Sequence, residues 1–504
     1  MLILSFEFYA SLVIILAVYW LLPSRHRWGV LLFASVAFSV AANKNSLKAC
    51  GLMLAMILMA YGAGRLFERI EAAGKRKLVM LAAVVLEIGL LIRLKEIGFF
   101  LNLFHYEGPF GLIDWVVPLG ISYWTLSLVS YVLDVYWGVE HAEKSPFRFA
   151  LFGSYFPLMT SGPIVRYGET APELFGEHRL DYDRFCSGVQ RILWGFFKKL
   201  VISERLGIVV NTIYGDPVTY SGIYVWMAVI LFVGQLYTDF SGCIDIILGI
   251  SELFGVKLPE NFNLPFSAKS ISEFWQRWHI TLGLWVKNYV FYPVLKSDAL
   301  QRFGRMTKRN CGKRLGKKLP VWVGLFFTWF VIGFWHGGAW NYVVGVGMWM
   351  WFVIVLGEAT EPYTKRVSAF LGIHTECFSY RLFESVRTFL LYAFGNGFFR
   401  AQSLTWGINF YRAGLEWNPW IFFDGSLFRL GLTDSDWHVL IVSFLVLALA
   451  GVVRMQTGGD VRAWIAQQNL VFRWTLWLAL LFFVLTFGRY GPAYDLSAFI
   501  YFKF

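Results

Sequence analysis

Charge is scarce in this chain. Only 15% of its 504 residues are Asp, Glu, Lys or Arg, against about a quarter in soluble domains. Cysteine is scarce as well. Cys50, Cys186, Cys243, Cys311 and Cys377 form no CxxC pair and no metal-ligand spacing, so neither a disulfide framework nor a zinc site is expected. The G-x-S-x-G elbow, H-E-x-x-H, G-x-G-x-x-G and the P-loop are all missing. Soluble hydrolases, zinc proteases and nucleotide-dependent enzymes therefore have no motif support. No repeat of roughly 20–50 residues recurs and no low-complexity linker interrupts the sequence, so residues 1–504 read as one domain.

Apolar residues fill the space that charge leaves, at 57% of the chain with aromatics at 19%. They come in continuous runs of the length that crosses a bilayer, roughly 18–20 residues, and not in the alternation of a membrane β-barrel. The fold class expected is all-α: a polytopic integral membrane protein. Spans are read at residues 2–22, 28–42, 47–64, 78–92, 115–137, 223–237, 320–335, 340–356, 439–453 and 474–487, with shorter apolar segments at 244–254 and 389–399. That makes about ten to twelve transmembrane helices with re-entrant or interfacial helices beside them. The core motifs fall within 115–345 and the C-terminal helices within 386–504. The start carries no basic n-region and no small-residue cleavage site, so a retained first helix is expected.

The formal charge of +12 sits mostly in short loops, which is the pattern of positive-inside topology and not of a nucleic-acid binder. Arg25-His26-Arg27 and the basic loop from Arg65 to Lys77 both read as cytoplasmic if the N-terminus lies outside. The stretch from Arg302 to Lys318, eight cations and no acid, reads as a third cytoplasmic loop, attractive to anionic lipid, cofactor or protein. Residues 149–165 are too short and too rich in Gly and Pro for an ordinary span. They read as re-entrant or as an interfacial loop, because irregular backbone at membrane depth persists only inside protein or along a cavity. Pro118 and Gly120, inside the span read at 115–137, mark a packing kink or a cavity-lining break.

Of eight histidines, six lie in loops or near short connections. His336 closes a strongly apolar segment, between Trp335 and Gly337-Gly338, where glycines admit another backbone or a ligand. Burial disfavours charge on an imidazole, and a neutral imidazole takes a proton from a hydroxyl. The competing reading is a histidine that pins two helices through a carbonyl. His279 follows Trp275, Arg277 and Trp278 on a segment that also reads as an interfacial helix with aromatic anchors. Asp239 closes an apolar run, and acids at membrane depth usually have partners; Arg277 is a candidate. Asn261 and Asn263, in Pro259-Glu260-Asn261-Phe262-Asn263, add amides to the same stretch.

These motifs, in order, resemble those of the membrane-bound O-acyltransferases, and among them the bacterial alginate O-acetyltransferase branch. The resemblance rests on 118–123 with 131–136, Phe156-Pro157 with 161–167, Asp239-Phe240-Ser241-Gly242 and the Pro259–Asn263 pentapeptide. It continues through 274–279, Trp335-His336-Gly337, Phe398-Phe399-Arg400-Ala401 with Ser403-Leu404, and 499–504. It implies acyl transfer to a hydroxyl, with His336 at the family's invariant histidine and His279 at a second one. It also implies a cytoplasmic acyl donor, an acyl-CoA or acyl carrier, and a cell-surface polymer that receives the group, often through an extracytoplasmic acyltransferase. The Phe399-Arg400-Ala401 motif sets the chain apart from the related D-alanyl transfer protein of teichoic acids. One departure is that Tyr292-Pro293-Val294 runs into Leu295-Lys296-Ser297-Asp298 where alginate-type members carry a Gly-Gly-Asn-Arg-like loop.

The expected function is a bacterial cell-membrane O-acyltransferase that moves acetyl from acetyl-CoA towards an exopolysaccharide or cell-wall polysaccharide. No bound cofactor or metal is expected. His336 and His279 are the candidate catalytic residues. Asp239, Asn261, Asn263, Trp275, Arg277, Trp278 and Trp335 are the candidate substrate-binding set. Two rivals are a transporter of an acylated carrier, which would show repeated halves or paired charges, and a scaffold that recruits an external transferase.

Overall fold

The structure, a computed structural model, describes residues 3–44, 46–105 and 116–491. The 499–504 motif lies outside the described residues. Those described are overwhelmingly helical, and their only β pairing is an isolated antiparallel bridge between Phe262 and Trp278. Six described helices are long and apolar enough to cross a membrane: Leu47–Arg69, Ile223–Leu253, Gly312–Trp335, Asn341–Phe370, Asp434–Thr457 and Leu470–Phe487, with the shorter apolar Phe6–Leu21 beside them. This is an all-α polytopic membrane architecture. Polar side chains start many of its helices: Ser5, Ser46, Ser145, Asp181, Ser270, Ser297 and Asn469 each accept a hydrogen bond from a first-turn N–H, satisfying donors that a helix cannot satisfy internally.

The chain forms two compact units. The first draws on Met1–Ile202, Thr238–Pro259 and Ser443–Phe504. Its centre is the helix Ile121–Tyr136, buried at every position through Val135. Pro118 and Gly120 precede this helix and do not interrupt it. Gly120 adopts φ +66°, and a Cβ there would fall 1.6 Å from the Met159 carbonyl oxygen, so close backbone approach and not a kink explains the glycine. Residues 155–165 are buried throughout, a 3₁₀ turn at Phe156–Met159 followed by extended chain. The helix Tyr182–Phe196 crosses the later part of Ile223–Leu253 at glycines: a Cβ on Gly195 would meet the Gly242 carbonyl at 2.6 Å.

The second unit comprises Ser203–Tyr237 and Glu260–Val442. Here the helix Gly312–Trp335 packs against the wound segment Asn341–Met348, which in turn packs against Phe378–Arg400. Gly333 and Gly347 lie in the first contact; a Cβ on Gly347 would stand 2.5 Å from the Trp329 carbonyl. Arg400 Nη2 donates to Asn211 Oδ1 (2.8 Å) and Tyr214 Oη to the Gly397 carbonyl (3.3 Å). These bonds tie the end of Phe378–Arg400 to the helix Glu204–Gly215.

Two expectations need correction. The segments read at 223–237 and 244–254 are one 31-residue helix, Ile223–Leu253. Asp239-Phe240-Ser241-Gly242 lies within it because the acid is neutralised by a lysine and the glycine is required for helix contact. The basic stretch from Arg302 to Lys318 is not a loop. It forms Asp298–Asn310 and the first turns of Gly312–Trp335, since Arg and Lys are good helix formers and only Gly312, at φ +82°, breaks the run.

Candidate active site

His279 stands where two short helices meet. Ile271–Arg277 ends at Trp278, and Ile280–Val286 begins immediately after. Between them His279 adopts φ 46°, ψ 53°, a left-handed conformation that costs a non-glycine residue on the order of 1 kcal/mol or more and persists only where surroundings enforce it. The enforcement comes from the Pro259–Asn263 segment. Asn263 N–H donates to the Arg277 carbonyl (2.8 Å) and Ile280 N–H to the Asn261 carbonyl (3.1 Å), flanking the Phe262–Trp278 bridge. The two motifs therefore form one clamp, with Asn261 held against His279.

Within the clamp Asn261 Oδ1 accepts from Thr281 N–H (3.1 Å), from the Thr281 hydroxyl (3.0 Å) and from His279 Nδ1 (3.2 Å). Asn261 is fully buried and His279 is 1% exposed. Burial holds the His279 imidazole well below the ordinary histidine range, and the nearby His336 adds to the depression.

His336 caps the C-terminus of Gly312–Trp335 and is itself buried. Its N–H donates to the Ile332 carbonyl (3.3 Å), and Gly337 and Gly338 N–H both return to Phe334. The turn needs glycine: a Cβ on Gly337 would lie 2.4 Å from the Tyr342 ring, and Gly338 has φ +51°. The His336 imidazole is 5.1 Å from the Trp335 ring and 5.3 Å from Phe399. Trp335 is also 6.1 Å from the His279 ring, so one indole borders both histidines. Asn341 Nδ2 donates to the Phe398 and Ala401 carbonyls (3.3 and 2.9 Å), which fastens the Phe-Phe-Arg-Ala motif beside His336.

Asn261 Nδ2, Asn341 Oδ1 and Trp275 Nε1 are buried and lack a hydrogen-bond partner among the described residues. Native interiors carry few such groups, and each calls for a water, ion or ligand to complete its bonding.

The remaining candidates fall into distinct places. Trp278 is 1% exposed, stacked on Phe274 (5.6 Å, 19°) and 5.3 Å from Tyr392; it is packing at the back of the clamp. Trp275 meets Trp329 edge-on at 4.9 Å. Asn263 is exposed and contributes its backbone. Arg277 has its ion-pair partner within its own unit. Its guanidinium binds Glu273 (2.7 Å) and reaches Ser267 Oγ (3.2 Å), because a partner one helical turn away is already in place. Asp239 belongs to the first unit, 1% exposed and ion-paired to Lys199.

Thr281 and Asn341 were not legible as site residues, and Lys199 was not legible as the partner of Asp239. The sole trace of each is a polar side chain in an apolar context, as in Phe197-Lys198-Lys199-Leu200.

The fold defines a membrane-embedded α-helical protein in which two buried histidines border one indole. The profile described as "MBOAT, membrane-bound O-acyltransferase family" matches residues 140–307. The chain is 30% identical over 452 residues, 87% of its length and 80% of the relative's, to the probable alginate O-acetylase AlgI of Pseudomonas fluorescens. It is 28% identical to the peptidoglycan O-acetyltransferase of Helicobacter pylori over 62% of this chain and 61% of that one. With the teichoic acid D-alanyltransferase of Bacillus subtilis the identity is 28%, over 55% and 71%. The chain belongs to the membrane-bound O-acyltransferase family and is a multi-pass membrane O-acyltransferase.

Proposed function

We propose that this enzyme transfers acetyl from acetyl-CoA, taken up at the cytoplasmic face of a bacterial cell membrane, towards hydroxyl groups of an extracytoplasmic polysaccharide. An external acyltransferase partner completes delivery. The observation that carries the reading is the second unit's pair of buried histidines, both bordered by the Trp335 indole. The alginate O-acetylase relatives align over 87% of the chain, against 55% for the Bacillus D-alanyltransferase, which favours acetyl over D-alanyl. In the proposed reaction His336 takes the proton of the acceptor hydroxyl as its oxygen attacks the thioester carbonyl. The C–S bond then breaks, and the departing thiolate recovers the proton as CoA-SH.

The test is release and capture of radiolabelled acetyl from acetyl-CoA by purified protein in detergent, wild type beside His336→Gln. Turnover by the wild type and a loss of about 10²–10⁴-fold in a folded variant is expected when a general base is removed. Equal turnover by both removes His336 from the reaction. No turnover by a folded wild type, with its partner supplied, rejects acetyl-CoA as the donor.

A further inference from the structure

The hydrogen bonds at Asn261 carry information about a proton that heavy atoms alone do not show. An asparagine amide can be placed in either orientation, and an imidazole in either tautomer, unless a neighbour of fixed polarity decides. Here the decision comes from the backbone. Thr281 N–H can only donate, and it points at Asn261 Oδ1 at 3.1 Å. That atom is therefore the carbonyl oxygen, an acceptor. His279 Nδ1, at 3.2 Å from the same oxygen, must then be the protonated nitrogen, and in the neutral ring the lone pair is on Nε2.

We propose that Asn261 is a positioning residue that locks His279 as the Nδ1–H tautomer, so that His279 offers Nε2 as a hydrogen-bond acceptor for an O–H group and not as a donor to the oxyanion. In its consequence for turnover this deepens, and rests on, the acyl-transfer reading above; the tautomer itself does not. The clamp that brings the two residues together, with its bridge at Phe262–Trp278 and the left-handed backbone of His279, is then a device for holding one proton in place. Without Asn261 Oδ1 the ring loses its reason to keep hydrogen on Nδ1, and neutral imidazoles lean towards Nε2–H.

The experiment is ¹⁵N NMR of the full-length protein in detergent micelles at pH 8, labelled at histidine, with the His279 signals identified by their loss in His279→Gln. Protonated and unprotonated ring nitrogens resonate far apart, so the tautomer is read directly and needs no substrate. Expected are a protonated Nδ1 and an unprotonated Nε2 in the wild type, a shift to Nε2–H in Asn261→Ala, and retention of Nδ1–H in Asn261→Asp, which keeps the acceptor oxygen. With acetyl-CoA as the probe, Asn261→Ala should lose kcat on the order of 10²-fold with little change in KM, and Asn261→Asp should lose less. An Nε2–H ring in the wild type overturns the proposal. So does an unchanged tautomer in Asn261→Ala, or full turnover by that variant after the tautomer has switched. If Asn261→Ala does not fold, the wild-type spectrum and Asn261→Asp still decide. If no variant uses acetyl-CoA while the tautomers behave as stated, the donor assignment fails and the lock stands.

Discussion

At the scale of single residues the chain's most consequential groups are those whose protonation burial controls. His279 ionises near pH 6.5 in an unfolded chain and only at lower pH when folded, because burial and the neighbouring His336 both oppose its charge. The stability that a neutral His279 contributes is therefore complete above about pH 6.5 and is lost as the pH falls below it. Thermal unfolding followed from pH 7.5 to 5 should show a decline that is shallower in His279→Gln. Thr281 offers a second test at this scale. Its hydroxyl makes one of three bonds to Asn261 Oδ1, so Thr281→Val should lower stability by about 1 kcal/mol and leave the His279 tautomer as it is, since the Thr281 N–H remains.

Between elements, glycine and paired charge set the contacts. The helices Tyr182–Phe196 and Ile223–Leu253 approach at Gly195 and Gly242. Buried charges run beside that crossing: Lys199 with Asp239, Lys198 with Asp245 (2.6 Å), and Arg191 between Asp245 and Glu252 (3.0 Å each). Removing one member takes a buried ion-pair partner from the other, so Lys199→Met should cost about 3–5 kcal/mol while Lys199→Met with Asp239→Leu recovers most of it; detergent-solubilised Tm measures both. Gly195→Leu should abolish a monodisperse preparation, whereas Gly29→Ala, with nothing within 4 Å, should leave Tm unchanged. The acids of this ladder were visible in the sequence as charges in an apolar run. Their partners were not, because the lysines and Arg191 come from a different helix some 40 to 60 positions earlier.

For the whole molecule, charge predicts an orientation. The positive-inside rule predicts that the basic helix pair around Cys311 faces the cytoplasm. If the two apolar helices that follow, Gly312–Trp335 and Asn341–Phe370, both cross the bilayer, Cys377 is predicted on the same side. Both cysteines are exposed. A membrane-impermeant maleimide should leave both unlabelled in intact spheroplasts and label both after permeabilisation; labelling of either from outside inverts the topology. The all-α class and the long apolar helices were determined by the sequence, because hydrophobic run length is a property of contiguous chain. What only the tertiary structure decided is which polar groups face one another. Arg277 turned to Glu273 and Asp239 to Lys199, the Asp239 motif became the interior of a continuous helix, and Asn261 met His279 through a clamp of two motifs. Those pairings depend on distances between segments that are separate in the chain, and residue spacing carries no measure of such distances.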